Sequence, residues 1–538
     1  MDKRVIRAVL LIVLLAGAII LTFLTGYEGG YFAFFNTDDV LFEDIRQNEG
    51  DQTPSPVIAN SVQNRLFGLA YLKGESFNPI TGTNGVNLMI GGLVYEGLFT
   101  LDENWEPKET LALSCERTDD LTYLLTIRPD VIMHDGKPLT AEDCEYSLNL
   151  ARVQNHYKNR LSAISSVRST GDYEITISLS RPAAGISALL DIPVMRKNDS
   201  SLFPAGTGPY YPLYDEGEVS RLIAHSNWWK NEKKPLAGIE LIGVNNIETL
   251  IDFFDSGAVD IIQTDPTGTE LIGVRGSYEA WEYDTLNMHF IGFNTKNTPF
   301  DNANVRRALS HAFDREFIAQ SALSGQARPA SIPVPDSCRF YSPSAAAASE
   351  YSMVSMSGLL YEASFEDLDN DGKLDYAVSP NMREPFTIDL IVNSENRYKV
   401  KAAESIAAQI FEVGIDVNVR PLKWNDFNAA LKSGDYDLYY GELRLSADFS
   451  PRQLACYGGS ANPSDFSSEE LDSLILSFET NPSKATAEAM YNKIIEESVF
   501  APLLFKTGSI YASRGVVRNI NPLQANVFSE IENWTITK

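Results

Sequence analysis

Between residues 386 and 440 the apolar pattern alternates between periods suited to strands and to helices, and this restricts the fold more than any other stretch. Residues 386–392 read as a strand, 399–413 as an amphipathic helix, 415–420 as a strand, 424–432 as a helix and 436–440 as a strand. Strands joined through helices are laid parallel in one sheet, because a parallel pair needs a crossover connection. That succession forms an α/β unit of its own. Upstream, residues 65–71 read as a first strand, 88–99 as a helix after a Gly-rich loop, and 123–127 and 174–179 as strands. A helix is expected over 305–323, capped by Asp301 or Asn302. Two α/β lobes are therefore expected.

With 538 residues the chain can bury two or three substantial cores. Its formal charge of -28 comes from carboxylates spread along the whole length. Such a field repels polyanions and argues against a nucleic-acid partner. The four cysteines (Cys115, Cys144, Cys338, Cys456) form no CxxC pair and have no metal-ligand spacing. Cys144 lies in a helical pattern as a small apolar residue. The five histidines are scattered, and HExxH, GxSxG and P-loop patterns are absent from the sequence. No enzyme chemistry, cofactor or metal is expected. One acidic stretch, Asp367, Asp369, Asp371, Gly372 and Asp375, resembles the first half of a calcium loop, but its twelfth position is Val378 instead of a bidentate acid. A polar turn explains it without an ion.

At the N-terminus Lys3, Arg4 and Arg7 precede an uncharged apolar run over residues 8–26. Nineteen helical residues nearly span a bilayer, and the basic flank keeps the short N-terminus cytoplasmic. A cleaved signal peptide is the other reading. On either reading the chain after about residue 36 is extracytoplasmic. On the first, the protein is a single-pass membrane protein. Residues 1–36 are expected to be the anchor and 37–56 an acidic linker.

Seven blocks then carry a resemblance. They are YEGL at 95–98, LTYLLTIR at 121–128, HDGKPLTAED at 134–143, GTGPY at 206–210 with NWW at 227–229, GFNT at 292–295, VRRAL to DR at 305–315, and GDYDL at 434–438. In this order they resemble the extracytoplasmic solute-binding proteins of ABC importers, family 5, the oligopeptide, dipeptide and nickel-binding class. The resemblance implies a two-lobed periplasmic-binding-protein-like fold (type II, cluster C) with an extra subdomain. First-lobe residues 57–285 would include that subdomain at about 106–189. Residues 286–505 would form the second lobe, and 506–538 would return to the first. The crossings between lobes are expected near 284–294 and 505–510. The implied function is capture of peptides or similar solutes by lobe closure, without catalysis, and delivery to permease subunits by a monomeric receptor.

The resemblance also implies ligand contacts. Asp448, in LSADFSP at 445–451, matches the position that receives a peptide ammonium, although Leu445 replaces an aromatic residue and the segment is shorter. Capping of a helix after Pro451 is an equal reading of Asp448. Arg444 meets a ligand carboxylate or pairs with an acidic neighbour. Thr83, Asn84 and Gly85 resemble the cleft-lining N-terminal loop, and Trp424 stacks on ligand or belongs to a core. The rival functions are a membrane-anchored hydrolase and a solute sensor.

Overall fold

The computed structural model describes residues 66–537, apart from 231, 265–273, 275, 380 and 381. The expected anchor and linker lie outside the described residues. No helix among those described is long and apolar enough to cross a membrane.

One eleven-stranded sheet runs through both lobes. In the first lobe, strand Phe67–Leu72 pairs in parallel with Gly238–Val244, which continues antiparallel into Glu218–Ala224 and Tyr210–Asp215. In the second lobe, Thr387–Asn393 lies parallel to both Asp416–Leu422 and Leu438–Arg444. The crossover helices Arg397–Phe411 and Trp424–Ser433 connect these strands, as the alternation of hydrophobic period required. Two long antiparallel strands, Tyr278–Phe293 and Phe500–Ser513, belong to both halves.

The two largest apolar cores among the described residues follow this division. One gathers Leu69, Ile90, Leu125, Ile175 and Leu241, with Ile510, Ala512 and Trp534 from the C-terminal end. The other gathers Ile291, Val305, Leu309, Leu390, Ile406, Leu438 and Leu503. A separate antiparallel sheet of Ala112–Asp119, Thr122–Ile127, Glu174–Leu179 and Ile164–Gly171 packs under helix Ala141–Ala151 and shares the first core. The fold is a two-lobed α/β fold with one sheet shared by both lobes.

The ladder between the two crossing strands breaks between Asp284 and Met288. Asp284 pairs with Thr507 on the first-lobe side, and Met288 pairs with Phe505 on the second-lobe side. Within the break, Thr285 Oγ1 donates to the Lys506 carbonyl (2.6 Å) and Gln524 Oε1 accepts from the Leu286 N–H (2.6 Å). Side chains thus satisfy the backbone where the ladder cannot.

Two helices depart most from their expected bounds. The helix expected over 88–99 is Gly85–Val94, and Phe99 instead begins strand Phe99–Leu101. Asn84 starts it early by accepting from the Val86 and Asn87 N–H groups. The helix ends at Val94, whose carbonyl accepts the Gly208 N–H (2.9 Å). This close approach needs glycine, since a Cβ on Gly206 would lie 2.2 Å from that same carbonyl oxygen. The helix expected over 305–323 is two helices, Ala303–Ser310 and Arg315–Leu323. Asn302 caps the first, while Asp314 caps the second by accepting the Phe317 N–H. A capping side chain in mid-pattern marks the break that apolar spacing conceals.

Candidate functional site

The matched blocks mainly build the scaffold. Trp229 Nε1 donates to Glu96 Oε2 (2.8 Å), and the Arg128 guanidinium lies 4.3 Å from the Trp229 ring centre. Burial raises the Glu96 carboxyl, against the pull of Lys230 and the tryptophan donor. Arg306 is fully buried and spends its guanidinium on backbone carbonyls, among them Phe300 (2.7 Å) and Ser498 (3.1 Å). Arg315 does the same at Pro502 (2.8 Å). Asp143 completes a capping box with Thr140, and it also takes Arg196 Nη1 (2.8 Å) and the Lys197 N–H (2.9 Å). Its contacts therefore reach beyond a local helix cap.

A cavity lies where the lobes meet. It encloses about 560 Å³ of free space, part of it open to solvent. The first lobe contributes Trp105, Glu106 and residues 183–185, 187 and 188; the second contributes residues 338–340, 447–449 and 478–479. Strand Leu438–Arg444 delivers Asp448 to this place. The Leu445 N–H still bonds the Leu286 carbonyl (2.8 Å), and the chain then turns, with Phe449 at φ 53°.

Asp448 does not cap the following helix. That helix, Arg452–Ala455, has Pro451 at its cap position and receives no side-chain bond there. Asp448 instead faces residue 185 of the other lobe, where a Cβ added to Gly185 would come within 3.0 Å of the Asp448 Cβ. Loss of water pushes the Asp448 carboxyl up to about 6, and the Glu479 charge adds to this, while Arg160 and Arg181 oppose it. Glu479 is already matched. Arg452 donates to it in fork geometry (2.7 and 2.9 Å) and the Ser450 hydroxyl adds a third bond (2.6 Å). Among the described residues, no ion pair claims Asp448 itself. The arrangement suits a small cation and lacks a base-activated nucleophile.

Several contacts among the described residues hold the lobes together around the cavity, three of them close to its wall. The Ala184 N–H donates to the Glu479 carbonyl (2.7 Å), Arg339 pairs with Glu106 (2.8 Å), and Trp105 Nε1 reaches Ser337 Oγ (3.3 Å).

The other expected site residues divide into two groups. Arg444 is exposed at the end of its strand, and its charge acts on His156, Tyr157 and Arg160 of the first lobe. Arg160 is itself paired with Asp191. His156 hydrogen-bonds the backbone of Ile80, which places the loop leading to Thr83, Asn84 and Gly85 on the same side. Asn84 uses its side chain as a helix cap, and Gly85 opens that helix. Trp424 starts helix Trp424–Ser433, lies nearly parallel to Phe427 with ring centres 6.0 Å apart, and is not part of the cavity wall. The structure therefore gathers Asp448 and Arg444 at the lobe junction and leaves Trp424 aside. It adds Trp105, Glu106, Gly185, Arg339, Phe340 and Glu479, which no local pattern marked, because they come from four separate segments.

The Asp367, Asp369 and Asp371 carboxylates are exposed and mutually within 4.8 Å. Asp367 and Asp369 accept backbone N–H groups of residues 371–372, and Asp371 accepts that of Lys373, which is the bonding of a polar turn.

Residues 106–464 match the family model described as bacterial extracellular solute-binding proteins, family 5 Middle. The oligopeptide-binding protein AppA of Bacillus subtilis is 24% identical over 384 residues, covering 67% of this chain and 69% of that protein. Heme-binding protein A of Haemophilus influenzae is 26% identical over 411 residues, covering 68% of this chain and 72% of its own. The structure of Bacillus subtilis AppA in complex with a nonapeptide superposes with a TM-score of 0.60 at 22% identity, covering 88% of this chain and 99% of that one.

Proposed function

Since the chain belongs to the bacterial extracellular solute-binding proteins of family 5, we propose that it is a receptor that closes on short peptides or similar small solutes and delivers them to an ABC permease. The family binds without catalysis, and the site chemistry agrees with that role. The observation that carries the reading is the position of Asp448, a partly desolvated carboxylate at the junction of the lobes, facing residue 185 of the opposite lobe. A ligand ammonium there would touch both halves at once. It would therefore favour the closed state through contacts that the open state lacks.

The remaining parts follow the same scheme. The first lobe is taken as residues 57–285 and 506–538, with a subdomain at about 106–189, and the second as 286–505. The two cores and the ladder break at residues 285–287 support that division. Residues 1–36 tether the receptor to the membrane, or direct its export, and residues 37–56 hold it off the surface. Arg444 faces the ligand from the second lobe, and the Thr83, Asn84 and Gly85 loop from the first. The receptor acts as a monomer without a cofactor.

Thermal shift and native mass spectrometry of the full chain, solubilised in detergent, test this with a library of di- to pentapeptides. A bound peptide that raises the melting temperature and is recovered intact supports the receptor. Failure of every peptide, or turnover of peptide that survives repurification and maps to the cleft, would overturn it.

A further inference from the structure

Helix Glu469–Thr480 of the second lobe ends without enough donors from its own chain. The last carbonyls of a helix have no intrahelical partners and need donors from beyond it. Here Asn481 returns its N–H to the Ser477 carbonyl, but Pro482 has no N–H to give. The Ser483 N–H is committed to Thr486 Oγ1 (3.0 Å), in the capping box of the next helix, Lys484–Glu497. The first turn carries Glu469, Glu470 and Asp472, which suit the positive end of the helix dipole, while the last turn has no base for the negative end.

The missing donors come from the other lobe. The Ala184 N–H bonds the Glu479 carbonyl (2.7 Å), and Arg117 Nη1 bonds the Thr480 carbonyl (3.3 Å) across 363 residues of chain. Both donors are held by the separate antiparallel sheet of the first lobe. Arg117 lies near the end of strand Ala112–Asp119, where its Nε donates to the Asp119 carbonyl (3.2 Å) and its Nη2 to the Asp120 carboxylate (2.7 Å). The guanidinium is thus fixed by its own hairpin before it reaches across. Tyr123, on the neighbouring strand Thr122–Ile127, donates its hydroxyl to the Ala183 carbonyl (3.2 Å) and so orients the peptide that carries the Ala184 N–H.

We propose that this sheet is a latch: Arg117 and the Ala184 N–H cap the C-terminal end of helix Glu469–Thr480 when the lobes meet, and they hold part of the empty receptor closed. The latch rests on the receptor reading, in which the lobes open and close. Opening exposes the two carbonyls to water and takes the Arg117 cation away from the helix end, so the cap favours the closed state. Arg117 lies outside the cavity wall, and its contribution is therefore the same whatever the solute.

Hydrogen exchange of the full chain in detergent, with no ligand added, tests this at the Ala184 amide, resolved by electron-transfer fragmentation. Arg117→Ala should speed exchange there roughly threefold to tenfold, the weight of one partly exposed hydrogen bond, while the ladder amides of residues 122–126 keep the parent's protection. Arg117→Lys, which keeps a cation at the helix end, should fall between the two. Should Arg117→Ala loosen the ladder itself, the lysine variant decides on the same terms. Parent rates at Ala184 in the variants would overturn the latch and leave the receptor standing. If Ala184 exchanged in parent and variants only as slowly as the deepest core amides, the lobes would not open, and the receptor reading and the latch would fall together.

Discussion

Gly185 and Asp448 stand across the lobe junction so closely that a Cβ on the glycine would lie 3.0 Å from the Asp448 Cβ. Gly185 has φ -82°, an ordinary conformation, so glycine is needed here for space and not for backbone freedom. A branched side chain should therefore prop the lobes apart while leaving each lobe folded. Gly185→Val is expected to weaken ligand binding at least about tenfold, given that closure supplies the second lobe's contacts. Its melting temperature without ligand should stay near that of the parent. Calorimetry and small-angle scattering with and without ligand would show the lost compaction.

The raised Asp448 carboxyl has two consequences of opposite sign. Its folded pKa of about 6 exceeds the unfolded value, so the folded state holds the proton more tightly. Relative stability from this group is fullest below the unfolded pKa and is lost as pH rises through about 6. Asp448→Asn should thus stabilise the empty protein at pH 7 by up to about 3 kcal/mol while abolishing selection for a free ammonium. In the parent, peptide affinity should fall roughly tenfold between pH 7.5 and pH 5, as the carboxylate is neutralised. Denaturation and binding series across that range check both signs.

The contact between Glu106 and Arg339 spans the lobes but remains wet, with the arginine side chain about half exposed at 53%. Exposed pairs contribute roughly 0.2–1 kcal/mol, so Arg339→Ala should lower affinity less than about fivefold. The deficit should shrink in 1 M salt, where such a pair is screened. A larger loss that ignored salt would mean that Arg339 contacts the ligand directly.

Beneath the crossing strands, Glu442 is buried with Lys399 at 2.8 Å and His289 at 3.7 Å. Burial pushes the carboxyl up, but Lys399 and His289 outweigh it and hold it well below the ordinary range. Its stabilising contribution is present above the unfolded pKa and disappears as pH falls through the folded one. Glu442→Gln should cost about 3–5 kcal/mol at pH 7, since it leaves a buried ammonium without its counter-charge. The difference from the parent should narrow in acid below about pH 4, and urea titrations at several pH values would follow it.

Glu96 and Trp229 lie 133 residues apart and share a bond of 2.8 Å. Glu96→Ala leaves the indole donor without its acceptor and should destabilise by about 1–3 kcal/mol, whereas Glu96→Gln keeps an acceptor and should cost less. Peptide affinity should change little in either variant, because the pair lies outside the cavity wall. Chemical denaturation alongside calorimetry distinguishes this scaffold role from a ligand contact.

Much of the fold is legible in the sequence because its causes are local. The switch of hydrophobic period over residues 386–440 specifies strands joined by crossover helices, and each of those five elements is present within a few residues of its expected bounds. GTGPY at 206–210 announces a tight turn, although only the packed structure shows why. Its glycines let the chain reach the Val94 carbonyl and end a helix that periodicity alone carried to residue 99. The break at 311–314 was similarly hidden, as the apolar spacing runs through it and only the cap at Asp314 marks it. Asp448 could be singled out from a short motif, but a motif cannot separate a helix cap from a ligand anchor. Tertiary structure separated them by setting Asp448 against residue 185 and away from the helix end. Trp105, Arg339, Phe340 and Glu479 carry no mark in the sequence, since a binding wall assembled from two lobes depends on distances that linear spacing does not encode. The sequence by itself determined the alternation of elements and the turns that join them, because these follow from side chains near one another in the chain. The cavity and the charge left open within it were decided only by the meeting of the two lobes, where burial and opposing carboxylates set the state of Asp448.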